Sequence, residues 1–136
     1  MKGLVPIVTH PERNPILVAN RARVTAWVQQ GCYVQVTAGS LLGRFGQRAQ
    51  RAAEAWLAEG AIHFFASDAH NVTSRPIQLR PAYDVVAKRM GEPVARALFC
   101  ENPLAAVEGG ALPFVPETDD VGRETAQPRR KRFLFF

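Results

Sequence analysis

The sequence predicts an α/β fold in which parallel strands are joined by helical crossovers. Three apolar, β-branched runs alternate with two segments of helical periodicity, in the order β-α-β-α-β over residues 4–66. A parallel pair of strands cannot be joined by a hairpin and requires a longer crossover, usually a helix. With 47% hydrophobic and 21% charged residues, the chain of 136 residues has the composition of one soluble globular domain.

The three predicted strands are Leu4 to Thr9, Cys32 to Thr37 and Ala61 to Ala66. All three are rich in apolar residues, so we expect buried strands that need neighbours on both faces of the sheet. The chain begins almost directly with the first strand, which leaves no upstream segment to pair with it. We therefore expect this chain to be part of a larger unit.

Helices are predicted where apolar residues recur at helical spacing and a glycine follows. Asn20 can cap the first helix, and Gln47 to Glu59 form the second, with alanines and Trp56 on one face. The predicted helices end at glycines, Gly31, Gly60 and Gly91, and two later helices begin with a proline in the first turn, at Pro93 and Pro103.

Residues 1–112 are predicted to form the domain and residues 113–136 a mobile tail, because the tail is Pro-rich, charged and non-periodic. The tail ends in a basic-aromatic segment, residues 129–136, that could contact an anionic membrane surface or remain solvated. Cys32 and Cys100 lie in apolar segments and are interpreted as buried thiols rather than as a disulfide or a zinc site.

Charge and hydropathy narrow the class of protein. No apolar run approaches the ~18–20 residues of a transmembrane helix, and the short run Leu4 to Val8 lacks the features of a signal peptide. We therefore expect a cytoplasmic protein. The net charge of +5 suits an anionic substrate, but its scattered distribution argues against nucleic acid as the partner.

Polar residues that can carry chemistry follow two of the predicted strands. His10 comes just after the first strand, and Asp68 and His70 come just after the third. Since ligands of parallel α/β folds bind at the carboxyl ends of strands, these side chains are candidates for a divalent-metal site. Arg13 and Arg75 are close by in sequence, and guanidinium groups suit a phosphate.

Each of these residues also has an ordinary structural interpretation. A single histidine after a strand is often a hydrogen-bonding residue, Asp68 could cap a turn, and the two arginines could be surface charges. The joint pattern at strand ends favours a functional site. His63 lies inside the third predicted strand and is interpreted as a structural histidine.

Three sequence blocks resemble a known family. They are PIVTHPER (6–13), QVTAGSLLGRFG (35–46) and IHFFASDAHN (62–71), in an order and spacing similar to those of the CpsB/CapC family of the PHP (polymerase and histidinol phosphatase) superfamily. This resemblance implies the C-terminal half of a distorted PHP-type (β/α) barrel, and a manganese-dependent protein-tyrosine phosphatase of capsule or exopolysaccharide operons.

The resemblance also implies roles for individual residues. His10, Asp68 and His70 match metal ligands of the family, for manganese or another divalent ion, and Arg13 and Arg75 match arginines that hold the phosphate. The implied substrate is phosphotyrosine on a tyrosine kinase that controls polysaccharide export. The oligomeric state stays open.

The departure from the family pattern is large, because the His-x-His block, the aspartate and the glutamates that precede these motifs are absent. A cluster of divalent ions needs on the order of six to nine protein ligands. With three candidates, we expect weak manganese binding and little phosphatase activity, as in a shortened form of a longer protein.

Two alternatives to a tyrosine phosphatase stay open. One is a non-catalytic phosphoprotein-binding remnant that uses Arg13 and Arg75, and the other is another PHP phosphomonoesterase, such as one acting on histidinol phosphate.

Overall fold

A computed structural model describes residues 4–118 of the chain. The strands are β1 (Ile7–Thr9), β2 (Tyr33–Thr37) and β3 (Phe64–Ala66). The α-helices, with a 3₁₀ turn at Pro11–Arg13 and a π turn at Ala97–Glu101, are α1 (Pro15–Ala19), α2 (Arg21–Gln29), α3 (Ala38–Leu41), α4 (Gln47–Ala58), α5 (Arg80–Met90), α6 (Glu92–Arg96) and α7 (Asn102–Val107). Within this part of the chain, no helix combines the length and the apolarity that crossing a bilayer requires.

The three strands form one parallel sheet in the order β1-β2-β3, which confirms the predicted α/β class. Thr9 pairs with Gln35, and Thr37 pairs with Ala66, so the carboxyl ends of all three strands reach the same edge of the sheet. Polar residues that follow β1 and β3 are therefore brought to one side of the molecule.

The prediction of a buried first strand was wrong. β1 is three residues long, and Leu4 and Ile7 are 79% and 44% exposed. In the described residues β1 pairs with β2 alone, so its outer edge and much of its surface have no neighbour. An apolar composition indicates that a strand is suited to burial, but only tertiary neighbours can bury it.

The core lies between β2 and the helices that cross the sheet. Val34 and Val36 of β2 are fully buried, and they cluster with Val24 of α2, Trp56 of α4 and Val86 of α5. Each buried side chain of this size stabilises the fold by roughly 1.5–3 kcal/mol relative to an exposed one. Tyr33 and Gln35 of β2 are half-buried, because they alternate with the valines and lie on the other face.

Two short helices were missed by the sequence analysis. The side chain of Asn14 caps α1 by accepting hydrogen bonds from the N–H groups of Ile16 (3.0 Å) and Leu17 (3.3 Å). The connection after β2, predicted as a loop, begins with the single turn of α3. Asn14 followed by Pro15 is a recognisable helix start, whereas four residues are too few to show helical periodicity.

The predicted burial of the cysteines was also wrong, since Cys32 is half-buried and Cys100 is exposed. Both are free thiols.

Residues 92–107 form α6, a π turn and α7 in direct succession. A π turn adds one residue to the helical turn and shifts the register of the faces. Ala97, Leu98 and Phe99 of this turn are buried, whereas Cys100 points outward.

The packed part of the chain extends past residue 112, where the domain was predicted to end. Asn102 is fully buried, and its side-chain amide donates to the carbonyl groups of His63 (2.9 Å) and Phe114 (2.7 Å) and accepts from the Phe114 N–H (3.1 Å). Phe114 packs against the core. The predicted mobility of the tail from residue 119 onward and the membrane contact of its basic-aromatic end concern residues outside those described.

His63 is buried immediately before β3, in agreement with its interpretation as a structural residue. Its Nδ1 accepts a hydrogen bond from the Val34 N–H (3.1 Å), and its ring centroid is 4.8 Å from that of Tyr33. Because Nδ1 is an acceptor, the proton of the neutral ring is on Nε2. Burial lowers the pKa of His63 from its ordinary value of 6.5 to about 4.

The lowered pKa of His63 predicts a loss of stability in mild acid. The His63 ring binds a proton near pH 6.5 in the unfolded chain but only near pH 4 in the folded chain. The free energy of unfolding therefore falls as the pH drops between these values. The loss attributable to His63 is roughly 3 kcal/mol. Urea denaturation at pH 7.0, 5.5 and 4.5 measures it. In His63→Gln, whose side-chain oxygen can accept from Val34, we expect a much shallower pH dependence. An identical dependence in the two proteins would assign the acid sensitivity to other groups.

Candidate functional site

His10 directly follows β1, and Asp68 is the second residue after the end of β3. The N–H of His10 donates to the carbonyl of Gln35 in β2 (2.8 Å), which fixes the turn that leaves β1. Both residues have positive φ angles, 38° for His10 and 52° for Asp68, and they are the only described non-glycine residues that do. This conformation costs about 1–2 kcal/mol for a residue with a side chain, and such strain is concentrated at functional sites.

The carboxylate of Asp68 joins the two candidate phosphate-binding arginines. Its Oδ2 accepts hydrogen bonds from Arg13 Nη1 and Arg75 Nη2, so both guanidinium groups meet at one oxygen. These three side chains are 23–30% exposed, so water partly screens the ion pairs. Arg75 Nη2 also donates to the Asp68 carbonyl (3.2 Å). Arg13, Asp68 and Arg75 are called the Arg–Asp–Arg cluster below.

An aromatic ring packs beside the Arg–Asp–Arg cluster. The guanidinium carbon of Arg13 lies 4.3 Å from the ring centroid of Phe45, and that of Arg75 lies 5.9 Å from it. Both distances fall within the range of a cation–π interaction. Phe45 belongs to the segment between α3 and α4, so this contact connects the ends of β1 and β3 to the segment that follows β2.

Asn71 shapes the turn that presents Arg75. Its side-chain oxygen accepts from the N–H groups of Thr73 (3.0 Å), Ser74 (2.8 Å) and Arg75 (2.9 Å). The N–H of His70 closes the loop by donating to the Arg75 carbonyl (2.9 Å). A side chain that satisfies three consecutive backbone donors replaces an element of secondary structure. Arg75 is thereby directed back toward Asp68.

The three candidate metal ligands share one edge of the sheet but do not form a metal site by themselves. His10 and His70 are exposed, and the ring Nδ1 of His70 is 2.8 Å from the Asp68 carbonyl oxygen. Asp68 is engaged by two arginines. Within residues 4–118, no three His, Cys, Asp or Glu side chains are grouped closely enough to hold an ion. The described residues therefore do not fit a complete metal centre.

Glu12 is a site residue that the sequence analysis missed. It lies between His10 and Arg13, yet it is 1% exposed. Its Oε1 accepts from the Thr37 N–H (3.1 Å) and from the Ser40 hydroxyl (2.8 Å), which fastens the turn after β1 to the end of β2 and to α3. Its Oε2 has no partner among the described residues, and neither do the buried Gln35 Nε2 and Thr37 Oγ1. Glu12 thus fixes the segment that carries Arg13.

Replacing Glu12 with leucine should cost about 2–4 kcal/mol of stability, because the Thr37 N–H and the Ser40 hydroxyl would be left buried and unpaired. Glu12→Gln keeps the accepting oxygen and should cost less than about 1 kcal/mol. Urea denaturation gives the free energies of unfolding. Glu108→Leu, at an exposed position after α7, is the control and should change little. Equal stability of Glu12→Leu and the wild type would show that the buried carboxylate does not hold this turn.

The fold is that of an α/β protein in which two arginines and an aspartate are grouped at the carboxyl ends of the parallel strands. A family model described as "Capsular polysaccharide synthesis, CpsB/CapC" matches residues 1–108. The chain belongs to the CpsB/CapC family, which confirms the resemblance found in the sequence.

Individual relatives agree with this assignment. Tyrosine-protein phosphatase YwqE of Bacillus subtilis is 35% identical over 100% of this chain and 50% of its own length. Tyrosine-protein phosphatase CpsB of Streptococcus pneumoniae is 35% identical over 76% of this chain and 44% of its own length. The putative tyrosine-protein phosphatase CapC of Staphylococcus aureus is 38% identical over 60% of this chain and 32% of its own length. The chain thus spans about half the length of the first two.

The fold matches that of a solved relative. A chain from the crystal structures of YwqE from Bacillus subtilis and CpsB from Streptococcus pneumoniae, described as unique metal-dependent tyrosine phosphatases, superposes with a TM-score of 0.78. The match has 32% sequence identity and covers 88% of this chain and 48% of that one. The mixed α/β architecture with parallel strands is therefore that of this family.

Proposed function

We propose that this chain forms the phosphoryl-binding half of a metal-dependent protein-tyrosine phosphatase with a PHP-type barrel. The observation that carries the proposal is the Arg–Asp–Arg cluster, in which two guanidinium groups converge at the carboxyl ends of β1 and β3. The relatives that match this chain are named tyrosine-protein phosphatases, which supports phosphotyrosine as the ligand.

The charge of the cluster suits a phosphoryl group. Two arginines and one aspartate leave one net positive charge, and the cluster remains in contact with solvent. A phosphotyrosine dianion can accept hydrogen bonds from the guanidinium nitrogens that do not bind Asp68. Phe45, beside both arginines, restricts their rotation, so less side-chain entropy is lost on binding.

The metal is a separate part of the proposal. His10, Asp68 and His70 are proposed ligands of manganese or another divalent ion, and a complete site requires additional ligands that residues 4–118 do not supply. Turnover by this chain alone is therefore expected to be low. The proposed protein substrate is a tyrosine kinase of polysaccharide export, since the matching family model is one of capsular polysaccharide synthesis.

A second candidate function is phosphoprotein binding without catalysis. It is favoured by one specific contrast: Arg13 and Arg75, the proposed phosphate-binding residues, lie together, whereas no metal-binding group is assembled among the described residues. The two functions differ in whether a bound phosphotyrosine is hydrolysed when the divalent ion is supplied.

Phosphotyrosine binding should depend on the arginines of the cluster. Arg13→Gln and Arg75→Gln should each weaken binding of a fluorescent phosphotyrosine peptide about ten-fold, since each removes a charged hydrogen-bond donor. Fluorescence anisotropy at low ionic strength measures the dissociation constants. Arg80→Gln is the control, because Arg80 pairs with Asp84 on the exposed face of α5 and should not affect binding. Equal affinities of all three variants and the wild type would contradict the proposed site.

Manganese should bind this chain weakly. We expect a dissociation constant on the order of a millimolar, as for sites with few protein ligands. Isothermal titration of the metal-free chain with manganese chloride measures it. The accompanying assay is hydrolysis of p-nitrophenyl phosphate with added manganese, for which we expect little turnover above that of the EDTA-treated protein. Strong manganese-dependent turnover would show that this chain does complete a metal centre.

A further inference from the structure

We propose that Arg44 makes the site selective for phosphotyrosine that is flanked by an acidic residue, an inference that rests on the proposed function. Arg44 lines a cleft of about 110 Å³ together with Phe45, Arg75, Ser67 and Ser74. Arg75 is part of the Arg–Asp–Arg cluster, so the cleft adjoins the proposed phosphoryl position. None of the side chains that line it is acidic.

The backbone and the stem of Arg44 are held in place. Its N–H donates to the carbonyl of Gly39 in α3 (2.9 Å). A methyl group at Gly39 would lie 3.3 Å from Arg44 Cδ and 3.2 Å from Phe45 Cε2, closer than most side chains tolerate. The absence of a side chain at Gly39 therefore lets Arg44 and Phe45 pack against α3, which positions Arg44 relative to the cleft.

The guanidinium group of Arg44 is available to a ligand. Arg13 and Arg75 share the carboxylate of Asp68, whereas Arg44 is exposed and forms no ion pair with residues 4–118. A peptide that places its phosphoryl group on the Arg–Asp–Arg cluster would extend along the adjoining cleft. A carboxylate in the peptide can then pair with Arg44, and the hydroxyl group of Ser67 can bind its polar atoms.

The test compares two fluorescent phosphotyrosine peptides that differ only in having glutamate or glutamine on both sides of the phosphotyrosine. Anisotropy with the full chain at low ionic strength gives the two dissociation constants. We expect the wild type to bind the glutamate peptide about three- to five-fold more tightly, the upper part of the range of an exposed ion pair. In Arg44→Gln the ratio should fall to about one, and in Arg44→Lys it should be partly retained.

Arg48→Gln is the matched control. Arg48 is exposed on α4 and does not line the cleft, and its replacement changes the net charge by the same amount. A ratio that is preserved in Arg48→Gln and lost in Arg44→Gln supports the proposal. Equal affinities for the two peptides in the wild type, or an unchanged ratio in Arg44→Gln, would overturn it.

The unphosphorylated glutamate peptide separates this inference from the proposed function. If phosphorylation strengthens binding but the flanking residues do not matter, the selectivity of Arg44 is wrong and phosphotyrosine binding stands. If phosphorylation makes no difference, or if neither phosphopeptide binds, the proposed function fails and the inference fails with it. Circular dichroism of each variant confirms that a lost preference does not reflect a lost fold.

Discussion

The geometry of the candidate site depends on one carboxylate, that of Asp68. Two unit positive charges about 5 Å apart repel each other by roughly 3 kcal/mol at an effective dielectric constant of 20. Arg13 and Arg75 approach each other because Asp68 lies between them and accepts a hydrogen bond from each. The buried Glu12 carboxylate holds the turn before Arg13, and the Asn71 side chain holds the turn before Arg75. Each arginine is thus held at its side chain by Asp68 and at its backbone by the preceding turn.

The main features of the fold could be predicted from the sequence because they depend on local patterns. The Val34 and Val36 run marked β2, the alanine and tryptophan face marked α4, and the parallel arrangement followed from the helices between the strands. The candidate site could be located for the same reason, since residues just after parallel strands share one edge. The sequence blocks pointed to the family that the family model later identified.

The missed features depend on contacts between distant residues. A glutamate beside histidine and arginine is expected to be solvated, and Glu12 is buried only because Thr37 and Ser40 provide hydrogen-bond donors across the turn. The outward position of Cys100 depends on a π turn, which no local sequence pattern predicts. The exposure of Ile7 reflects the lack of a second neighbour for β1 among the described residues. In each case the exposure of the side chain depends on neighbours that the local sequence does not identify.

The left-handed backbone at His10 and Asp68 has a consequence for what the amino acids there contribute. A glycine would adopt these φ angles without strain, so the backbone conformation at each position carries a cost in folding free energy that glycine would avoid. The Asp68 carboxylate offsets this cost by pairing with Arg13 and Arg75, so thermal stability alone would favour glycine only at position 10, where the exposed side chain forms no hydrogen bond with the described residues. The cost at His10 supports the role proposed for this residue, because folding alone does not explain an imidazole at that turn.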